Sequence, residues 1–338
     1  MKILLVAPSW VGDMVMAHSL VRRLASTVPA ADIDVLAPPA SRPLALRMAE
    51  VSDTIEFPFA HGELAWRRRR AFARDLRARA YDWAIVLPNS LKSALVPWWA
   101  RIPRRTGWLG EQRYVLLNDY RRLDPQAYPL MIDRFLALGM APGAALPVPR
   151  PMPQLQVDQE AAATARQHLG LVGKGPVLGL CPGAEFGPAK RWPPGHFATV
   201  ASHWVSHGGQ VWLFGGPADR SATEAILAAI PEEARGGVHD LAGRTGLTEA
   251  LDLLSCCDQV VSNDSGLMHL ACAVRRPVIA LFGSTSPAFT PPLGDEAQVL
   301  SLNLDCSPCF QRECPLGHLN CLRQLDPVMV LERLKVPV

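Results

Sequence analysis

Charge is scarce in this 338-residue sequence: Asp, Glu, Lys and Arg make up 19% of it, and only five of its 34 basic residues are lysine. With 49% hydrophobic residues, that balance excludes a disordered, collagenous or coiled-coil chain and leaves enough apolar surface for more than one core. Long apolar runs are also missing. The runs present are interrupted by Pro, Gly or Arg well before the ~20 residues a membrane-spanning helix needs. No export signal is visible: Met1–Ala7 begins like one, but Pro8 and Asp13 break the stretch, which reads better as a first buried strand. Without such a signal the eight cysteines are expected to be reduced thiols, with the last four set apart as a cluster, and the expected location is the cytoplasm. Neither Gly-x-Gly-x-x-Gly nor Gly-x-x-x-x-Gly-Lys-Ser/Thr occurs, so no dinucleotide fingerprint or P-loop marks a nucleotide site.

The formal net charge of +3 gives no sign of a nucleic-acid partner, but it hides a local excess. Residues 61–125 hold thirteen Arg and one Lys against six acids, a net of +8. At ~150 residues per domain the length predicts two domains. Short β-rich apolar runs at 3–7, 33–37, 54–57 and 83–87 alternate with helical stretches near 14–26 and 64–79, the pattern of a parallel α/β sheet. Five prolines between 141 and 157 predict an extended connector there. The rhythm then repeats, with strands expected at 177–181, 211–214, 259–262 and 278–282 and helices at 194–207, 221–230, 248–256 and 267–274. Each of these later strands runs into a small or polar loop, and ligands of doubly wound sheets bind at that carboxyl end.

Several of these loops could carry chemistry. Asp13 follows the first strand in Pro8-Ser9-Trp10-Val11-Gly12-Asp13; it is either a general base or the N-cap of the next helix. Lys190-Arg191 follows the 177–181 strand just ahead of a helix opening at Pro193-Pro194, as a phosphate site or a solvated surface pair. Asn263-Asp264-Ser265-Gly266 leads into Leu267-Met268-His269, which is either an anion site at a helix start or an ordinary cap with a structural histidine. Asp32-Ile33-Asp34 looks like an Asp-x-Asp metal motif but stands at the amino end of its strand, the wrong end for a site. Cys306-Ser-Pro-Cys309, Cys314 and Cys321, with His318 among them, could hold a structural zinc or an iron–sulfur cluster, or be free thiols or disulfides; their spacing matches no standard ribbon or finger. Arg67–Arg70, Arg74 and Arg77 fall on an amphipathic helix with Leu64, Phe72 and Leu76 expected inward, followed by Trp98 and Trp99. That face suits an anionic, membrane-borne acceptor, or is simply a solvated basic surface.

Taken together, Ala7–Met16, Cys181–Pro193, Asn263–His269, Phe289-Thr-Pro-Pro-Leu293 and Cys306-Ser-Pro-Cys309 resemble the ADP-heptose lipopolysaccharide heptosyltransferases, nearest the type that adds the second heptose. The likeness spans essentially the whole chain. It implies an α/β GT-B fold, two Rossmann-like domains with a central cleft. Residues 1–150 would bind the acceptor, 158–325 the ADP-heptose, and a helix over 326–338 would pack back on the first domain. The implied reaction is inverting transfer of L-glycero-D-manno-heptose from ADP-heptose to the first heptose of heptosyl-Kdo2-lipid A. By the same resemblance Asp13 is the general base, while Lys190, Glu185, Asp264, Ser265, Gly266, His269 and Leu247 bind the donor. Trp10, Gly12, Arg67 and Arg70 are assigned to the acceptor. No cofactor is required, since ADP-heptose is a substrate. The implied partners are that nucleotide sugar, an anionic lipid-linked inner-core acceptor and, transiently, the cytoplasmic face of the inner membrane. The alternatives are transfer to Kdo2-lipid A itself, a non-catalytic lipopolysaccharide-binding protein, or a metalloprotein organised by the Cys cluster.

Overall fold

A computed structural model describes residues 1–59 and 62–335 of the chain. The chain divides into two compact units, Met1–Leu155 and the remainder from Gln156, and the division falls inside the proline-rich segment. That connector is pinned to the first unit. Arg22 donates to the Met152 carbonyl at 2.5 Å, the Gln154 N–H donates to His18 Nδ1 at 3.2 Å, and the Arg150 guanidinium meets the buried Asp133 at 2.5 and 3.0 Å.

The first unit is built on a six-stranded sheet, all parallel: β1 (Lys2–Val6), β2 (Asp32–Ala37), β3 (Asp53–Glu56), β4 (Trp83–Val86), β5 (Arg104–Trp108) and β6 (Asp119–Arg121). Their spatial order is β3-β2-β1-β4-β5-β6. The central strands β1 and β4 are almost wholly buried because helices cover both faces, so they read as unbroken apolar runs rather than alternating ones. One core packs Leu4, Val6, Leu36, Ala84 and Val86 against Ala73 and Leu76 of the helix Trp66–Leu76 and Ala94–Val96 of the helix Leu91–Trp99.

The second unit repeats this plan with β7 (Val177–Cys181), β8 (Gln210–Leu213), β9 (Val238–Asp240), β10 (Gln259–Asn263), β11 (Val278–Leu281) and β12 (Ala297–Leu300). The order is β12-β11-β10-β7-β8-β9, again parallel throughout. In each sheet the chain first builds one side and then crosses to the other, so a switch point lies between β1 and β4 and another between β7 and β10. Loops leaving two adjacent strands diverge there and leave a crevice at the carboxyl end, the place where such sheets hold ligands.

Four strands lie outside those expected from the sequence: β5, β6, β9 and β12. All stand on the outer side of their sheets, and their sequences (Arg-Arg-Thr-Gly-Trp, Asp-Tyr-Arg, Val-His-Asp, Ala-Gln-Val-Leu) lack the apolar run that burial on two faces requires. The helix expected over 326–338 is only Pro327–Leu331, capped by Asp326, whose carboxylate accepts from the Val328 N–H at 2.8 Å. Val330 and Leu334 are buried in the core of the second unit, and residues 336–338 lie outside the described residues. Among the described residues no helix is long and apolar enough to cross a membrane.

Candidate active site

In the first unit the β1 loop runs straight into the helix Val11–Thr27. Trp10, not Asp13, holds the N-cap position. It is in extended conformation, its side chain makes no capping bond, and its indole is 47% exposed. Asp13 and Gly12 sit half-buried in the first turn of the helix. Asp13 is thus not the N-cap residue itself. Its carboxylate lies where the helix dipole favours negative charge, at the carboxyl end of β1 and beside the switch point.

The loop after β4 forms the other wall of that switch point, and a buried arginine holds it. Arg113 is fully buried; its guanidinium donates to the carbonyls of Pro88 (2.7 Å), Ser90 (3.1 Å) and Trp108 and to the Ser93 hydroxyl (3.1 Å). Burial, only partly opposed by Glu111, pushes its pKa down to about 10, so it stays charged at neutral pH.

The basic excess of residues 61–125 is thus partly structural. Arg69 is also buried, donating to the carbonyls of Leu64 and Glu63 and lying over the rings of Phe57 and Phe59 at 4.8 and 4.3 Å. Arg77 binds the Trp99 carbonyl, and Arg79 meets Asp53 at 2.6 Å and the buried Asp34 at 3.3 Å. Asp34 also accepts from the Tyr81 hydroxyl at 2.5 Å, so the Asp-x-Asp carboxylate serves the framework. Arg67, Arg70 and Arg74 remain exposed on the helix Trp66–Leu76, which follows β3 and so starts at the same sheet end as the β1 loop, two strands away from β1. Leu64, expected inward, is 51% exposed, because the helix begins only at Trp66, after Ala65 takes a left-handed conformation. Trp66 packs edge-on against Trp99 with ring centroids 4.6 Å apart.

In the second unit the switch point gathers most of the expected donor residues. Lys190 Nζ lies 2.6 Å from Asp264 Oδ2 and 3.4 Å from the Asp264 carbonyl, and the Thr285 hydroxyl donates to the same carboxylate oxygen at 2.5 Å. Asp264 is almost fully buried and Lys190 nearly so. Asn263, completely buried at the end of β10, links the two walls: its side chain accepts from the Trp192 N–H at 3.2 Å and donates to the Pro182 carbonyl at 2.7 Å.

Directly beyond, Ser265 takes the N-cap position of the helix Gly266–Ala273 in extended conformation, yet its side chain makes no capping bond. The first amide groups of that helix therefore keep their donors for an anion. His269, one turn in, is 4% exposed, and its Nδ1 has no hydrogen-bond partner. Burial pushes its pKa down to about 4; Asp264 opposes this and Lys190 reinforces it, so the imidazole is neutral at pH 7. The ring offers a polar atom to the site without adding a charge.

The β8 loop closes in from the other side of β7. A Cβ at Gly183 would stand 2.5 Å from the Asp219 carboxylate, so only glycine lets the two loops meet. Asp219 in turn accepts from the Gly216 N–H at 3.0 Å and lies 3.8 Å from Arg191. Glu185 is exposed on the Lys190 loop, and Leu247 is half-buried at the start of the helix Leu247–Leu254 beyond β9. Both lie at the ligand end of the sheet but outside the Lys190–Asp264 cluster. Sequence reasoning missed Thr285 and Asp219. Thr285 sits in a loop already marked as small and polar and Asp219 just beyond another, and only the fold shows that they meet the same strand end.

The sequence profile of glycosyltransferase family 9 (heptosyltransferase) matches residues 69–320, and the chain belongs to this family of glycosyltransferases. Its fold class is accordingly GT-B, with two Rossmann-like domains. Lipopolysaccharide heptosyltransferase 2 of Escherichia coli is 47% identical over 339 residues, covering 99% of this chain and 97% of that protein. The solved structure of E. coli ADP-heptose lipopolysaccharide heptosyltransferase II matches with a TM-score of 0.89 at 46% identity, over 98% of this chain and 97% of that one. Lipopolysaccharide heptosyltransferase 1 of Pseudomonas aeruginosa is more distant, 26% identical over 332 residues, 93% of this chain and 87% of that protein.

Proposed function

We propose that this enzyme transfers L-glycero-D-manno-heptose from ADP-heptose to the first heptose of the lipopolysaccharide inner core, with inversion at the anomeric carbon. The observation that carries the reading is the second switch point, where the ammonium of Lys190 stands beside the uncapped helix Gly266–Ala273. A cation and free amide donors at a helix start are what a departing diphosphate requires. The much higher identity to a heptosyltransferase 2 than to a heptosyltransferase 1 favours an acceptor that already carries one heptose.

In this reading the first unit takes the acceptor and the second the donor. The acceptor hydroxyl gives its proton to the Asp13 carboxylate as its oxygen bonds to the anomeric carbon, and the bond from that carbon to the diphosphate oxygen breaks on the opposite face. ADP leaves with the electron pair. The transition state has oxocarbenium character, which nearby carboxylates stabilise. Negative charge building on ADP is met by Lys190 and by the amide groups of residues 266–268, without a step through a cofactor. Asp264 and Thr285 aim the ammonium, and neutral His269 contributes a hydrogen bond from below. Glu185 and Leu247 line the outer part of the donor pocket, while Trp10 and Gly12 contact the acceptor sugar. Arg67 and Arg70, exposed on one helix, attract the phosphate-bearing lipid and the anionic cytoplasmic face of the inner membrane.

The deciding experiment is transfer from ADP-heptose to two purified acceptors, Kdo2-lipid A with and without the first heptose. Product with the heptosylated acceptor alone is the expected result. Transfer to the unheptosylated acceptor would move the activity to the first-heptose step, and none to either would remove the reading.

A further inference from the structure

One feature of the second unit takes no part in this chemistry. Residues 301–319 contain no helix or strand, a long stretch for a compact domain to leave irregular. Leu302 and Leu304 pack against the core of the unit, but beyond them Phe310 is 51% and Leu316 60% exposed. The stretch and the short helix after it carry half of the chain's cysteines. Cys306, Cys309, Cys314 and Cys321 line one small cavity together with His318 and Ser284, and none of the four is in a disulfide.

The backbone after the third cysteine turns sharply. The Gly317 N–H donates to the Cys314 carbonyl at 3.0 Å. Gly317 takes a φ of +70°, which closes this tight knuckle. His318 is engaged elsewhere, accepting from the Asn320 N–H at 3.0 Å through Nδ1.

The same stretch buttresses the donor switch point from behind. The Arg312 carbonyl accepts from the Ala189 N–H at 3.1 Å, next to Lys190, and a Cβ on Gly187 would collide with that carbonyl. Lys190 and Arg312 both lie over the Phe186 ring, at 5.0 and 5.6 Å. The Phe310 N–H donates to the Ser284 carbonyl at 2.7 Å and the Ser307 hydroxyl to the Gly283 carbonyl, both just before Thr285, which holds Asp264.

We propose that Cys306, Cys309, Cys314 and Cys321 bind one thiophilic metal ion, zinc or ferrous iron, as a tetrathiolate cross-link that holds the loops carrying Lys190 and Thr285 in place. Among the described residues no three potential ligands stand in ready coordination geometry. The sulfurs must therefore close onto the ion, each thiol losing its proton as it does. The ion is structural and touches no substrate; its effect on the reaction passes through the positions of Lys190 and Asp264.

The test uses the full chain purified without oxygen. Elemental analysis should find one equivalent of zinc or iron per chain. Cobalt(II) added to the metal-free protein should give thiolate charge-transfer and tetrahedral visible bands that saturate at one equivalent. Cys309→Ser and Cys314→Ser should lose the metal, whereas Cys256→Ser, outside the cavity, should keep it. Should the serine variants fail to fold, protection of the four thiols from alkylation by zinc in the unmutated chain gives the same answer. Less than a tenth of an equivalent together with no cobalt spectrum, or full metal retained in Cys309→Ser, overturns the site.

Removing the metal should also weaken ADP binding about tenfold, and an unchanged Kd would overturn the positioning role. This last measurement rests on the proposed donor site. The metal content does not, so a failure of either is recognised separately.

Discussion

At the first switch point the β1 loop presents a carboxylate, Asp13, in the opening turn of a helix whose cap position makes no side-chain bond. At the second, the β7 loop presents an ammonium, Lys190, facing the start of another helix left uncapped in the same way. The two sheets have the same strand order and wholly parallel pairing. The supports differ as much as the charges do. The first crevice is braced by a buried cation, Arg113, gripping backbone carbonyls, and the second by a buried amide, Asn263, and a carboxylate, Asp264. One scaffold thus supplies two kinds of site. The sheet fixes where a ligand can lie, and a few loop residues decide whether that place presents a carboxylate or an ammonium.

The largest expected effect breaks the first half of this comparison. Asp13→Asn removes the base while keeping shape, and kcat should fall about 10²- to 10⁴-fold with the Kd for ADP little changed; near-normal kcat would end the assignment. Next comes acid sensitivity in the second unit. The folded pKa of His269 is about 4 against an ordinary value of 6.5, so below pH 6.5 the unfolded chain takes up a proton that the folded one refuses. Stability from this group is complete above pH 6.5 and is lost progressively down to about pH 4, for about 3 kcal/mol in all. Urea unfolding at pH 7 and pH 4 should show His269→Gln losing that much less than the parent; equal losses would contradict a buried neutral imidazole. Lys190→Ala should weaken ADP binding about 10- to 100-fold by calorimetry, the worth of a charge-assisted hydrogen bond to a phosphate. An unchanged Kd would take Lys190 out of the donor site. Smallest is the exposed basic face: Arg67→Ala and Arg70→Ala should each lower binding to anionic vesicles about fivefold, an effect that fades with added salt. Binding indifferent to both would make that face ordinary solvated surface.

The buried halves of both sheets were legible because strands covered on two faces must be continuous apolar runs, as Ile3–Val6 and Val177–Cys181 are. The outer strands were not, since Arg104–Trp108 and Asp119–Arg121 show their faces to polar partners. Lys190 and Asp264 were each suspected from their loops, but nothing in one dimension could say that they touch. That pairing depends on β7 and β10 being neighbours, although 77 residues lie between Cys181, the end of β7, and Gln259, the start of β10. The Arg-rich segment misled in the opposite direction. A run of like charges reads as one solvated face, yet Arg69 and Arg113 are consumed by backbone carbonyls, because a planar guanidinium with five donors can satisfy loops that no helix or strand serves. Composition counts such residues as surface charge; packing treats them as fasteners.

Under the proposed donor binding, the ion pair at the heart of the second unit also acts as a gatekeeper. With Asp264 2.6 Å from its ammonium, Lys190 already has a counter-ion at rest, so any incoming anion competes with a carboxylate that cannot diffuse away. A lone inorganic phosphate offers little more than that carboxylate does. A diphosphate long enough to reach both the ammonium and the helix amides offers more. In the proposed donor site, this internal rival thereby helps to discriminate a sugar nucleotide from the many smaller phosphates around it.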